Sequence, residues 1–200
     1  MDIEEIAALY DTRVRNLGIG PKSVGWESAE QQKLRFNKLV HGLSLENVSV
    51  LDLGSGFGDF FSYLESQGTY ISKYLGIEVS KEMLFAAQQQ FEGNPRVSFS
   101  QADFLKYNSG SWDFVVASGS LNYRFGANMS EYLESVISKY SNICQKGLLI
   151  NLLTDRVDYM QLQHAHYNPE LVQHMMQKYF SSVIVIENYG LYEFTVQGLK

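Results

Sequence analysis

From Ser49 onward, short apolar runs rich in β-branched residues alternate with stretches whose apolar residues recur at intervals of three and four. That rhythm restricts the chain to α/β units on a mostly parallel sheet, with right-handed crossovers and helices on both faces. The runs fall at 50–53, 74–79, 97–101, 113–117 and 148–153, and the helical patterns between them at 59–65, 81–91 and 130–142. After a further helix at 169–179, with Asn168 as cap and Pro169 at its first position, the rhythm breaks. Two runs, 183–187 and 193–196, are separated only by a short link containing Asn188, Tyr189 and Gly190. Parallel neighbours need a crossover of roughly a dozen residues, so this pair must be an antiparallel hairpin. The expected fold is therefore a seven-stranded, mostly parallel sheet with the last strand inserted antiparallel. Ahead of it, 3–15 and 28–43 read as two helices, the second opened by a capping box of Ser28 and Gln31, with the punctuated loop IGPKSVGW between them.

Two hundred residues, 45% of them hydrophobic and 19% charged, fit one ordinary globular domain. No apolar run approaches the roughly 20 residues of a membrane span. The acidic start MDIEEIAALYD lacks the features of a signal peptide, which makes the cytoplasm the expected location. A net charge of −6, with no basic patch beyond the three cations in 33–38, disfavours a phosphate backbone as partner and favours a small molecule. The single Cys144 reads as a packing residue.

The sharpest local signal is VLDLGSGFGDF, residues 50–60, where a strand runs into glycines at 54, 56 and 58 and then into a helix. Such a turn aims unpaired helix N–H groups at a ligand and lets it touch the backbone. A dinucleotide fingerprint would need glycine at position 59, but the chain has Asp59, which also sits badly beside a pyrophosphate. Strand two delivers Glu78 to the carboxyl edge next to this loop, where a carboxylate can accept from ribose hydroxyls. Strand three is followed by Asp103 and Phe104, placed to meet an adenine. Strand four delivers Ser118, Gly119 and Ser120 to the same edge. Four consecutive strands converge where ligands bind in open α/β sheets.

These residues resemble the class I S-adenosylmethionine-dependent methyltransferases, a seven-stranded Rossmann-like family. LDLGSGFGDF is similar to its first motif, GIEVS to its second, ADF to its third and DFVVASGSLNY to its fourth. The resemblance implies a three-layer fold in one methyltransferase domain, with 1–45 an N-terminal helical cap and lid and 46–200 the core. It implies S-adenosylmethionine as cofactor and no metal. Asp52 and the Ser118 backbone would meet the methionyl amino group; Gly54, Ser55, Gly56 and Gly58 would line the methionyl and ribose parts. Glu78 and Val79 would hold the ribose, and Ala102, Asp103 and Phe104 the adenine. Gly119 and Trp26 would cover the cofactor. More narrowly, KSVGW, QQKLRF and NYGLYEF are similar to a subgroup of small bacterial methyltransferases.

The acceptor is left open as an O, N or S atom of a small molecule. SGSLNY after strand four departs from the Asn-Pro-Pro-Tyr pattern of amino-methylating DNA and protein enzymes. A sulfonium methyl is already activated, so in-line positioning and exclusion of water can suffice. Asn122, Tyr123 and His166 are the candidate catalytic residues, the last on a loop at 152–170 that also carries His164 and Tyr167. His164, His166 and His174 lack a supporting carboxylate or cysteine for a metal. Three other readings stand beside this one: an inactive cofactor-binding sensor or partner subunit, a nicotinamide oxidoreductase, and transfer of the cofactor's aminobutyl or aminopropyl portion.

Overall fold

The structure is a computed structural model that describes residues 2–124, 126 and 128–200. Two helices, α1 (Ile3–Leu17) and α2 (Ala29–Leu39), precede the sheet. The core then runs β1 (Val48–Leu53), α3 (Asp59–Ser66), β2 (Ile71–Glu78), α4 (Lys81–Gln90), β3 (Val97–Gln101) and β4 (Trp112–Ser118). It continues through α5 (Met129–Ser141), β5 (Cys144–Leu153), α6 (Pro169–Gln177), β6 (Ser182–Ile186) and β7 (Glu193–Leu199). The strand order is β3-β2-β1-β4-β5-β7-β6. β1 to β5 pair in parallel, and β7 lies antiparallel between β5 and β6, as the short hairpin link required.

Strand faces explain the layers. In β1, Val48 and Val50 join a cluster with Phe36 and Leu39 of α2 and Phe60, Phe61 and Leu64 of α3. Leu51 and Leu53 point the other way, into a cluster built with α5 and α6. Central strands buried on both faces read as continuous apolar runs, and these do. The chain leaves β1 toward β2 and β3 on one side and returns at β4 to build the other, so a crevice opens between the carboxyl ends of β1 and β4.

Helix ends follow local chemistry, with two departures from expectation. α1 carries a full capping box: Glu5 N–H donates to Asp2 at 2.8 Å and Asp2 N–H to Glu5 at 2.9 Å. Ser28 does cap α2 through the Gln31 N–H, but the Gln31 side chain donates to Glu27 rather than closing a box. α2 also stops at Leu39, four residues short of the expected end, because Gly42 takes a left-handed φ of 74° and Leu43 N–H closes a turn onto Val40. α1 is fixed to the sheet edge by Asp11, which accepts from Ser80 Oγ at 2.6 Å and from Glu82 N–H at 3.2 Å at the start of α4. No helix of the described residues is long and apolar enough to cross a membrane.

Candidate functional site

A cavity of about 440 Å³ lies over the β1–β4 crevice, within the range of small-molecule sites. The β1–α3 turn supplies Asp52, Gly54, Ser55 and Gly56 to its wall. The end of β2 supplies Glu78 and Val79, and the turn after β3 supplies Phe104. Ser118, Gly119, Asn122 and Tyr123 come from the end of β4, and Trp26 from the loop before α2. Gly54 has φ 74°, and a Cβ there would fall 2.5 Å from Ser120 Cβ, so only glycine lets the β1 and β4 loops close together. Gly119, with φ 80°, sits under Trp26: a Cβ would lie 2.5 Å from the indole ring.

Four expected site residues lie off the cavity wall. Gly58 caps α3, and a Cβ there would collide with the Phe91 and Phe99 rings at 2.7 and 2.8 Å; its smallness serves packing beneath the loop. Ala102 packs against the core. The Asp103 carboxylate accepts from Leu105 N–H at 2.8 Å and lies 3.9 Å from Lys106, contacts within the turn after β3. His166 is also outside the wall. His164, two residues earlier, lines it instead, because the segment after β5 bridges back onto the segment after β4 at Tyr123–His164. Asn122 is on the wall, but its Oδ1 accepts from Leu153 N–H at 3.1 Å and its carbonyl from Ala165 N–H at 2.9 Å. An amide so engaged ties two loops together and has no basic atom to offer.

Glu78 is almost fully buried, and its carboxylate accepts three backbone hydrogen bonds: Gly56 N–H at 2.9 Å on one oxygen, Val79 and Ser80 N–H at 2.8 Å each on the other. Burial raises its titration against the pull of those three bonds. A carboxylate has about four acceptor sites, so capacity remains for a hydroxyl donor from the cavity. Asp52, 3% exposed, accepts from the Tyr74 hydroxyl. Burial pushes its carboxyl up to about 7; the Tyr74 bond opposes this and the Glu78 and Asp59 charges add to it. In the unfolded chain an aspartate titrates near ~3.9. A carboxyl that binds its proton more tightly when folded contributes stability that is complete below about pH 4 and lost as the pH rises through about 7. Asp52→Asn is therefore expected to flatten the stability profile between about pH 4 and 7, read by urea unfolding at both ends; an unchanged slope would assign it to other carboxyls.

Sequence reasoning missed the other end of the cavity. Arg35 of α2 forks onto Glu193 of β7, with Nε and Nη2 each 2.7 Å from a carboxylate oxygen and both side chains buried. The guanidinium carbon stacks 3.9 Å from the Trp26 ring centroid. Its third nitrogen, Nη1, is buried without a partner among the described residues, in a side chain that lines the cavity. Burial raises the Glu193 carboxyl, and the Arg35 bonds pull it back. The two residues are 158 positions apart, and no local spacing in the sequence links them. Nearby, Gln32 of α2 donates to Asp59 at 2.8 Å, joining the cap to the glycine turn. Trp26→Ala removes both the cover on Gly119 and the stack on Arg35. We expect it to weaken S-adenosylhomocysteine binding about tenfold to a hundredfold, read by calorimetry; unchanged affinity would remove Trp26 from the site.

A parallel-to-antiparallel seven-stranded sheet with a cavity at its switch point, holding a buried carboxylate at the end of β2 and a glycine turn after β1, is the architecture of an adenosyl-cofactor transferase. Comparison with known proteins agrees. Residues 50–140 match the family model described as "Methyltransferase domain". The chain is 32% identical over 154 residues to the Mycobacterium tuberculosis (strain ATCC 25618 / H37Rv) protein "Putative methyltransferase Rv1506c", covering 74% of this chain and 90% of that one. Among solved structures it is similar to magnesium protoporphyrin IX methyltransferase of Synechocystis with bound S-adenosylhomocysteine (TM-score 0.72, 14% identity, all of both chains covered). It is also similar to N-methyltransferase NodS of Bradyrhizobium japonicum with the same ligand (TM-score 0.68, 14% identity, 96% of this chain and 98% of that one). The chain belongs to the class I S-adenosylmethionine-dependent methyltransferases, and S-adenosylmethionine is its cofactor.

Proposed function

We propose that the protein transfers the methyl group of S-adenosylmethionine to an O, N or S atom of a small molecule by in-line displacement, with the cavity at the β1–β4 crevice as its active site. The observation that carries this reading is a pair of unused valences at the cavity wall: an orphaned guanidinium nitrogen on Arg35, enclosed within a side chain that lines the cavity, and spare acceptor capacity on Glu78 in the same wall. An adenosyl amino acid offers a carboxylate for the first and ribose hydroxyls for the second. A dinucleotide would instead bring two phosphates against the wall that holds Asp52, Asp59 and Glu78.

In this reading Arg35 Nη1 takes the methionyl carboxylate, Asp52 faces the methionyl ammonium, and Val79 with Phe104 flanks the adenine. When bound, the cofactor supplies a methyl group already activated on a sulfonium. The chain's own part is then to hold the acceptor in line and keep water out, which Trp26 and the loops after β4 and β5 are placed to do. The wall around Tyr123 and His164 is left for the acceptor.

The test is calorimetric titration with S-adenosylmethionine, S-adenosylhomocysteine and NADH, followed by methyl-label transfer to a panel of small hydroxyl, amine and thiol compounds. Micromolar binding of both sulfur ligands with label transfer is the expected result. Binding of NADH alone would move the protein to the oxidoreductases, and cofactor binding with no transfer to any class would favour a sensor or partner subunit.

A further inference from the structure

One stretch of the cavity wall is cationic and aromatic at once. Arg13 of α1, Tyr10 one turn before it, Tyr123 after β4 and His164 after β5 form a continuous wall. The Arg13 guanidinium lies 5.3 Å from the Tyr10 ring centroid. The Tyr10 and Tyr123 rings meet edge to face at 5.9 Å, and Tyr123 meets the His164 imidazole edge to face at 5.2 Å. Among the described residues Arg13 makes no ion pair with a carboxylate; the ion pair of α1 is Arg15 with Glu82. A half-buried guanidinium facing a cavity with no counter-ion is an anion site in want of an anion. Its place is fixed from below, since Asp11 clamps α1 to the start of α4.

We propose that the acceptor is a small hydroxy-carboxylic acid: Arg13 forks onto its carboxylate, its body lies against Tyr10 and Tyr123, and His164 is the base that takes the hydroxyl proton. This rests on the methyl-transfer reading above and names the substrate class of that same site. A carboxylate suits one guanidinium fork, whereas a phosphate dianion would set a second negative charge in a wall that also holds Glu27 and Glu78. An amine acceptor, protonated at neutral pH, would be repelled by Arg13. The apolar wall continues through Ile3, Ile6 and Leu191, which favours an aryl or alkyl body.

His164 is prepared for the role by its surroundings. Burial lowers its imidazole from the usual range, and the charges of His166 in its own segment and Arg13 of α1 lower it further, so the ring is neutral at pH 7. The groups facing it are those two and the Tyr123 ring. His166 is bonded to the His164 backbone and holds the segment. In the step itself the acceptor hydroxyl gives its proton to the imidazole while an oxygen lone pair forms the new O–CH₃ bond. The carbon–sulfur bond breaks with its electron pair staying on sulfur. The positive charge thus passes to the imidazolium, which returns its proton to water at the cavity mouth. Burial and His166 lower His164 more than Arg13 does; a carboxylate seated on Arg13 offsets the Arg13 contribution alone and so shifts the imidazole toward a stronger base.

The experiment uses the full chain saturated with S-adenosylhomocysteine. A panel of aryl and alkyl hydroxy acids, 4-hydroxybenzoate and salicylate among them, is titrated, each beside its neutral amide. The His164 titration is followed by NMR, assigned with His164→Asn. We expect at least one acid to bind about tenfold or more tightly than its amide, and Arg13→Gln to abolish that preference without changing S-adenosylhomocysteine affinity. Arg13→Gln should raise the His164 pKa even without a probe, and the preferred acid should raise it in the wild type only. With an acid that is turned over, His164→Asn should lower the rate about 10²- to 10⁴-fold while leaving acid binding within about threefold. No acid outbinding its amide, or an unmoved His164 pKa in Arg13→Gln, overturns the proposal. So does a loss of S-adenosylhomocysteine affinity in Arg13→Gln, which would assign Arg13 to the cofactor. Failure of the wild type to bind S-adenosylhomocysteine at all would instead count against the methyltransferase reading.

Discussion

Glu193→Ala is expected to lower the stability of the protein by about 3–5 kcal/mol, because it leaves the Arg35 guanidinium charged, buried and without its counter-ion. For a chain of this length that corresponds to a fall in Tm of roughly 6–20 °C. The pair itself need not be stabilising relative to apolar residues of the same volume, since desolvating two ions offsets most of their attraction. The double variant Arg35→Met with Glu193→Leu is therefore expected to recover much of the lost Tm. Under the proposed role of the orphaned Arg35 nitrogen, it should not recover cofactor binding. Thermal unfolding beside S-adenosylhomocysteine titration separates the two effects. A double variant that binds the ligand normally would show that Arg35 serves the fold alone.

Glu78→Ala should weaken S-adenosylhomocysteine binding by about 1.5–3 kcal/mol, the worth of hydrogen bonds to a charged group. That is a rise in Kd of roughly ten- to a hundred-fold. The side chain acts twice. It offers acceptor capacity to the cavity, and through Gly56 N–H it holds the glycine turn in place from the neighbouring strand. Glu78→Gln keeps the volume but turns an NH₂ toward backbone donors at Gly56 or at Val79 and Ser80. It should therefore lose nearly as much affinity as the alanine, which a side chain acting only by size would not. Unchanged binding in both variants would place the ribose elsewhere.

The contrast between these two residues shows what a sequence can disclose. Glu78 and the glycine turn were legible because their neighbours are set by local rules: a strand end, a left-handed φ, a helix start. The antiparallel β7 was legible from a link too short for any crossover. Strand limits were less so. β5 begins at Cys144 rather than at residue 148, because Gln145 and Lys146 are exposed and interrupt the apolar run while their backbone still joins the strand. Asp103 reads as a ligand group by position; that its carboxylate also closes a two-residue turn onto Leu105 N–H is a contact the spacing alone did not announce. Arg35, Glu193 and Arg13 carry no local signature at all. Arg35 looked like one cation among three on a helix, and its partner arrives 158 residues later through the order of strands.

That separation has a consequence for synthesis. α2 is held to β7 at two points in its second half, by Arg35 on Glu193 and by Gln197, whose Nε2 donates to the Leu39 and His41 carbonyls at 3.0 Å. As the chain leaves the ribosome, β1 to β5 and the glycine turn emerge long before residue 193. Until β7 slides between β5 and β6, the Arg35 guanidinium lacks its carboxylate and is not held in the cavity wall. A ribosome-bound chain halted before β7 should thus be unable to retain S-adenosylhomocysteine, however well its earlier strands have formed. Cofactor capture would then wait for β7, and chains halted before it would be excluded from the pool of competent enzyme.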